Sequence, residues 1–371
     1  MSALFNPFQL KDITVRNRIA IPPMCQYQAH EGYVNEWHQA HYAGLARGGA
    51  GLVIVEATAV SPEGRITPGC AGLWEDGQIE GFARIAATIK AAGAVPGIQI
   101  AHAGRKASAN RPWEGDDHLP ADDRHGWRTL APSALAFGGG LSKVPQAMTL
   151  NDIERVQKDF VAAAKRALAA GFQWLELHFA HGYLAQSFFS PLANQRTDLY
   201  GGSAENRGRF LLETMKAVRE VWPQHLPLTA RFGVVEYDGG DEQFYPEAVA
   251  LVRQMRDAGL DLIDASIGFS TTQGKTPWGP GFFVPVASRV KQDVQMPVAA
   301  SWCLDDPHMA EQAVAQGHLD LVLIGRAHLA NPHYPYQLAI ELGLPQPASV
   351  LPASYGYWLE RYRGPGKGAA Q

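Results

Sequence analysis

A chain of 371 residues, 46% of them hydrophobic, can bury a large core, and its length allows either two domains or one barrel. A formal net charge of −4, with no lysine- or arginine-rich run, argues against a nucleic-acid-binding protein. The opening residues lack a signal-peptide pattern and no apolar run approaches the ~20 residues that cross a bilayer, so we expect a cytoplasmic protein without a membrane contact.

Apolar, β-rich runs recur along the chain with helical stretches between them, the pattern of a parallel α/β fold. The runs lie at residues 19–22, 51–57, 95–101, 172–178, 226–232, 260–267, 296–301 and 319–324. Eight of them predict a single (β/α)8 TIM barrel over residues 1–363, with an N-terminal extension before the first strand. The Gly- and Ala-rich tail at 364–371 is expected to be disordered.

The segment 153–170 shows how the helices are predicted, because its apolar residues follow spacings of three and four. Thr149, with Asp152 three places on, would cap the start of this helix. Gly171 and Gly259 fall where helices should end, at positions that favour a left-handed residue. A βαβ chain needs such helix ends between its helices and strands.

One long insertion, at residues 105–148, interrupts the pattern. It clusters Asp, Pro and Gly with Trp113 and Trp127. This composition predicts an extended loop over the barrel mouth, not a second domain. The alternative is a loosely ordered surface excursion.

The run at 172–178 is the most informative for function, because two imidazoles and a phenol stand at its end: His178, His181 and Tyr183. Active sites of α/β barrels lie at the carboxyl ends of the strands. Neutral histidines can donate hydrogen bonds to a carbonyl or nitro oxygen, and a tyrosine can supply a proton nearby. The cluster therefore suits the reduction of a polarised double bond.

Two other interpretations of this cluster stay open, a metal site and plain packing. His-x-x-His can chelate a metal, but no carboxylate or third histidine follows at a usual spacing, so we predict no metal. Glu176 lies on the same strand face as His178, and could orient a ring or sit in the barrel interior. Three widely spaced cysteines disfavour both a disulfide framework and a zinc cluster.

Several segments together resemble the old yellow enzyme family of FMN-dependent ene-reductases, and within it the bacterial subgroup that contains the xenobiotic reductases. They include Pro22-Pro-Met-Cys-Gln-Tyr27, Gln99-Ile-Ala-His-Ala-Gly-Arg105 and Ser187-Phe-Phe-Ser-Pro191. Others lie at residues 51–58, 178–183, 194–202, 206–210 and 324–326. The resemblance spans residues 17 to 330, in the order that the family uses.

The resemblance implies a noncovalently bound FMN and a role for each of these positions. Pro22, Pro23, Met24 and Cys25 would pack along the flavin ring, where a polarisable thiol can tune the reduction potential. Tyr27 would point its hydroxyl at the bound substrate.

Further flavin contacts follow from the same resemblance. Ala57 and Gln99 would contact the pyrimidine edge, and Arg231 would stand beside N1, where a cation stabilises the reduced flavin. Gly325 and Arg326 would bind the phosphate after the eighth strand.

The end of the seventh strand departs from the family pattern. Ser301 and Trp302 should line the same end of the cofactor, but Cys303 stands where subgroup members usually carry glycine.

Trp302 and Trp358 would shape the substrate pocket. The segment 355–363 resembles the element that reaches a neighbouring subunit's active site, so we expect a homodimer or homotetramer; a self-docked tail is the alternative.

The activity implied is NAD(P)H-dependent reduction of electron-poor C=C bonds in enones, enals and maleimides, and of nitro compounds, with NADPH preferred. His178 and His181 would hold the substrate oxygen while hydride passes from FMN N5 and Tyr183 supplies the proton, in a ping-pong cycle. The rivals are a metal- or Schiff-base-dependent aldolase, a dienoyl-reductase-type protein with an iron–sulfur module, and a flavin-binding protein without turnover.

Overall fold

The computed structural model describes residues 2–120 and 122–362. Eight parallel strands close into one barrel, and helices surround it. The predicted single α/β barrel is therefore confirmed. The tail predicted at 364–371 lies outside the described residues.

Each of the eight apolar runs predicted from the sequence overlaps a barrel strand. The barrel strands are β3 (Ile19–Ile21), β4 (Leu52–Ala59), β5 (Val95–Ala101), β8 (Trp174–Phe179), β9 (Leu228–Val235), β10 (Leu262–Ile267), β11 (Val298–Ala300) and β12 (Leu321–Leu323). They pair in chain order, and β12 closes the barrel by pairing with β3. Every residue in these strands is buried, because helices cover the outer face and side chains fill the interior.

Helices connect the strands and form the outer layer. Their bounds are α1 (Glu36–Arg47), α2 (Ile79–Ala91), α3 (Leu150–Ala169), α4 (Leu184–Phe189), α5 (Ala204–Val221), α6 (Asp241–Asp257), α7 (Val284–Val294), α8 (Pro307–Ala315), α9 (Arg326–Ala330), α10 (Tyr334–Glu341) and α11 (Ala353–Leu359). In the described part of the chain, none of them is long and apolar enough to span a bilayer.

The predicted helix signals are present in α3. The Thr149 side chain accepts from the Asp152 backbone N–H while the Asp152 carboxylate accepts from the Thr149 N–H, a reciprocal capping box. Gly171 and Gly259 follow α3 and α6 with φ of 87° and 104°, in the left-handed region that glycine adopts without strain.

The N-terminal extension forms a hairpin of β1 (Phe8–Leu10) and β2 (Ile13–Val15). The Asp12 backbone N–H donates to His225 O, which precedes β9, so the hairpin lies at the amino-terminal end of the barrel.

Two short strands, β6 (Leu130–Ala131) and β7 (Gln146–Ala147), pair within the long insertion. The mouth at the carboxyl ends of the strands is left for the insertion and the other βα loops.

Replacing Thr149 tests the capping box. We expect Thr149→Ala to lower the free energy of unfolding by about 1 kcal/mol, because the first turn of α3 loses its side-chain acceptor. Thr149→Ser keeps the hydroxyl and should unfold close to the wild type in urea titrations. Equal stability of the alanine and serine variants would contradict this role.

Candidate active site

The two histidines and the tyrosine predicted as catalytic come together at the carboxyl end of β8. His178 lies in the strand, and His181 and Tyr183 lie in the turn that leads to α4. The His178 ring centroid is 4.9 Å from that of His181 and 5.0 Å from that of Tyr183, with near-perpendicular planes. His181 takes a left-handed backbone conformation (φ 63°) that turns its ring back towards His178.

Both imidazoles are neutral in this environment. Burial lowers the pKa of His178 well below the usual imidazole range, and the Arg231 guanidinium lowers it further. Burial and the Arg231 charge do the same to the pKa of His181. Burial also raises the pKa of Tyr183 above its ordinary value, so the phenol keeps its proton at neutral pH.

Hydrogen bonds constrain which ring nitrogens face the mouth. The Ala180 backbone N–H donates to His178 Nδ1 at 3.4 Å, so the proton of this neutral ring lies on Nε2. His181 Nε2 lies 2.9 Å from the Ser266 hydroxyl, which leaves Nδ1 without a protein partner in the described part of the chain. Each ring therefore has one nitrogen available to a substrate.

Lys106 contributes to this cluster, although sequence analysis did not single it out. Its Nζ donates to His181 O at 2.8 Å and to Phe269 O at 2.9 Å, and lies 3.9 Å from the Phe137 ring centroid. Burial lowers the pKa of Lys106 to about 7. The sequence signal that could have identified Lys106 is its position directly after Gly104-Arg105, beyond the end of a strand.

A cavity of about 450 Å³ opens beside the histidines at the carboxyl ends of the strands, in the size range of small-molecule sites. Predicted flavin-contacting residues line it together: Pro22, Pro23, Met24, Arg231, Ser301, Trp302, Gly325 and Arg326. His181 and Cys303 line it too. A planar group with an anionic tail fits this lining, because prolines and Met24 offer apolar contact while the arginines offer charge.

The end of the cavity near β12 suits a phosphate. Arg326 is exposed and has no hydrogen-bond or ion-pair partner among the described residues. A Cβ added at Gly325 would lie 3.2 Å from Met24 Sδ and 3.4 Å from Pro22 Cγ, so the absence of a side chain keeps this end open. The residues present therefore fit FMN, with the two arginines at different parts of the cavity.

Arg231 belongs to a buried network inside the barrel. Its Nε lies 3.2 Å from Asp264 Oδ2, and its terminal N–H donates to Ser301 Oγ at 2.5 Å.

Gln99 Nε2 donates to Glu176 Oε1 at 2.8 Å, which leaves the Gln99 carbonyl as the free acceptor. Glu176 thus lies in the barrel interior, one of the two positions that the sequence left open. Burial and Asp264 raise the pKa of Glu176 to about 8.

The turn after β3 carries Cys25 and Tyr27, and Glu56 holds it. The Gln26 backbone N–H donates to Glu56 Oε2 at 2.9 Å, and the Tyr42 hydroxyl donates to Oε1 at 3.1 Å. Burial raises the pKa of Glu56 to about 7, and burial raises the pKa of Cys25 well above the usual thiol value, so its thiol stays protonated. Sequence analysis did not identify Glu56 as the residue that holds this turn.

Ala57 lies apart from the large cavity, in a narrow cleft with Cys70 and Tyr183. Gln99 is likewise absent from the large cavity's lining and is buried. Their predicted contacts with the pyrimidine edge remain predictions.

The long insertion covers the mouth, as predicted. The Trp113 ring meets the Tyr27 ring edge-on at 5.7 Å, and Arg111 Nε donates to Tyr27 O at 3.1 Å. Trp127 Nε1 donates to Glu63 O at 2.9 Å, which ties the other half of the insertion to the loop after β4. These contacts show an ordered cover and not a loose surface excursion.

Trp302 and Cys303 both have left-handed backbone conformations, with φ of 78° and 53°. Such φ values are strained for residues with a Cβ. The strained turn places the Trp302 ring 5.7 Å from the His181 ring. Trp358 is different: it lies on α11, is 69% exposed, and does not line the cavity.

Comparisons with known proteins agree with this site. The family model described as "NADH:flavin oxidoreductase / NADH oxidase family" matches residues 3–345. The chain is 41% identical to an NADPH dehydrogenase of Bacillus velezensis (94% of this chain, 97% of that protein) and 40% identical to an NADH:flavin oxidoreductase of Gibberella zeae (92% and 86%). Morphinone reductase in complex with tetrahydroNAD superposes with a TM-score of 0.76 at 27% identity, covering 99% of both chains.

The fold and the cavity lining thus define a flavin-dependent oxidoreductase on a (β/α)8 barrel, with FMN as its cofactor and a reduced nicotinamide as its reductant. The chain belongs to the NADH:flavin oxidoreductase / NADH oxidase family, the family of the old yellow enzymes.

The raised pKa of Glu176 predicts a pH dependence of stability. Its carboxyl is protonated in the folded protein up to about pH 8, whereas the unfolded carboxyl ionises near pH ~4.3. The folded state binds the extra proton, so this contribution to stability is complete below the unfolded pKa and is lost as pH rises through 8. Glu176→Gln lacks this loss, and its unfolding free energy relative to wild type should increase between pH 5 and 8, by at most about 1.4 kcal/mol per pH unit.

The measurement is urea unfolding of the FMN-loaded proteins at several pH values. Glu205→Gln, on the exposed surface of α5, is the matched control and should follow the wild type. A Glu176→Gln curve parallel to wild type at every pH would contradict the account.

Proposed function

We propose that this oxidoreductase reduces electron-poor C=C bonds in enones, enals and maleimides, and nitro compounds, using NADPH. The observation that carries the proposal is the convergence of two neutral imidazoles and a protonated phenol beside the FMN cavity. When bound, FMN supplies hydride from its N5 atom. The curated relatives at about 40% identity include proteins named NADPH dehydrogenase, which supports NADPH as the reductant.

The chain's own residues divide the remaining work. His178 Nε2–H and His181 donate to the substrate oxygen, and because both rings are neutral they polarise the carbonyl without protonating it. Tyr183 gives its proton to the α-carbon, and Tyr27, in the turn that Glu56 holds, contacts the substrate. Arg231 stabilises negative charge on the reduced cofactor, with Ser301 fixing its guanidinium.

A Schiff-base aldolase on the same barrel is disfavoured by Lys106. This lysine is the buried amine next to the histidines, but both of its hydrogen bonds go to backbone carbonyls and Phe137 covers it. Among the described residues, no three His, Cys, Asp or Glu side chains come together as metal ligands. Three cysteines are also too few for a four-cysteine cluster.

Tyr183→Phe separates the two half-reactions. We expect FMN reduction by NADPH to be unchanged, while reoxidation by 2-cyclohexenone slows about 10²- to 10⁴-fold because the α-carbon loses its proton donor. Anaerobic stopped-flow absorbance of the flavin measures both rates. Tyr245→Phe, whose hydroxyl bonds Asp293 away from the site, is the control. Equal slowing of both half-reactions, or of neither, would refute the proton-donor role.

We further propose that α11 completes the site of a neighbouring subunit in a homodimer or homotetramer. The exposed aromatic residues of α11 and of the turn after it form an apolar patch of the kind found in interfaces: Tyr355, Tyr357, Trp358 and Tyr362. Trp37 and Trp113 are also exposed, and both contact the turn that carries Tyr27. These two aromatic surfaces are suited to pack against each other between copies of the chain.

Mixed dimers test this arrangement. Trp358→Ala should raise the KM for 2-cyclohexenone several-fold. Pairing that chain with a Tyr183→Phe chain should restore the wild-type KM at about half the wild-type kcat per dimer, because the intact Trp358 then serves the intact Tyr183 site. A mixed dimer that keeps the raised KM would show that α11 acts within its own chain.

A further inference from the structure

Ser266 lies at the carboxyl end of β10, and its side chain is fully buried. It is not one of the residues to which the proposed function gives a role. The pairing of β10 with β9 shifts register between Ser266 and Ile267. Such a bulge re-aims side chains next to active sites. The Ser266 side chain lies between His181 and Trp302: Oγ is 2.9 Å from His181 Nε2 and accepts from Trp302 Nε1 at 3.2 Å.

The hydrogen-bonding capacity of these three groups fixes the direction of each bond. An indole N–H only donates, and a serine hydroxyl has one proton to donate. If His181 Nε2 carried a proton, Trp302 and His181 would both donate to Ser266 Oγ. The Ser266 proton would then have no acceptor within the described part of the chain, although the Ser266 side chain is fully buried. If Nε2 carries the lone pair, the hydroxyl donates to it and every group is satisfied.

We propose that Ser266 is a positioning residue that holds His181 in its Nδ1–H tautomer and directs that N–H to the substrate oxygen. The inference rests on the proposed function for the identity of the substrate, but not for the tautomer. Trp302 takes part because its indole occupies an acceptor site of Ser266 and so commits the hydroxyl to donate. The chain of bonds from Trp302 through Ser266 to His181 polarises the last N–H.

The backbone of His181 is fixed independently, which makes the side-chain bond decisive for the direction of the ring. Lys106 binds His181 O, and the His181 N–H donates to Ile267 O at 3.3 Å. His178 has the opposite arrangement, since Ala180 binds its Nδ1 and leaves Nε2–H free. The two histidines therefore present different nitrogens, and the site needs a tautomer-specific partner for each.

Nitrogen NMR of the holoenzyme labelled with [¹⁵N]histidine tests the tautomer directly, with His181 assigned by the signals missing from His181→Ala. We expect wild-type His181 to show a protonated Nδ1 and an unprotonated Nε2. In Ser266→Ala the ring should revert to mainly Nε2–H, and Ser266→Thr, which keeps the hydroxyl, should restore Nδ1–H. A protonated Nε2 in the wild type would overturn the proposal, even if Ser266→Ala failed to fold.

Binding of p-hydroxybenzaldehyde tests whether the Ser266–His181 bond affects function. We expect Ser266→Ala to raise the Kd of p-hydroxybenzaldehyde about tenfold, while Ser266→Thr stays near wild type. An unchanged Kd in Ser266→Ala would overturn the positioning role. Normal enone turnover together with Nε2–H at His181 would refute this inference alone, whereas Nδ1–H without any enone turnover would refute the proposed function and leave the tautomer assignment standing.

Discussion

The Arg231 guanidinium is the interaction on which the rest of the site depends. It lies at the floor of the mouth, where it pairs with Asp264, binds Ser301 and faces the Trp302 ring at 5.7 Å. Its charge adds to burial in keeping His178 and His181 neutral. The cation that we propose to stabilise the reduced flavin thus also keeps two imidazoles neutral, so that they donate hydrogen bonds without giving up a proton.

The sequence was sufficient to predict the barrel, because each strand is an apolar run that must be buried on both sides. The polar residues at or near the ends of three runs, His178, Arg231 and Ser301, were also predicted to reach the mouth, since parallel strands in a barrel end at one face. The cap of α3 could be predicted too, because Thr149 and Asp152 lie three residues apart in the sequence. These features depend on residues close together in the chain.

Other parts of the site depend on contacts that no local pattern specifies. Ser266 meets His181 across 85 positions, and Gln99 meets Glu176 across 77. Lys106 follows a recognisable strand end, yet its role arises only when the turn after β8 folds over it. The left-handed conformations of Trp302 and Cys303 oppose local preference and persist because the surrounding structure holds them.

The central claim is that two neutral imidazoles face the flavin and hold a substrate oxygen. Anaerobic titration of the FMN-loaded protein with p-hydroxybenzaldehyde measures this directly, since a phenolate held over the flavin gives a long-wavelength charge-transfer band. We expect this band in the wild type and its weakening in both His178→Ala and His181→Ala. A band of unchanged intensity and affinity in both variants would contradict it.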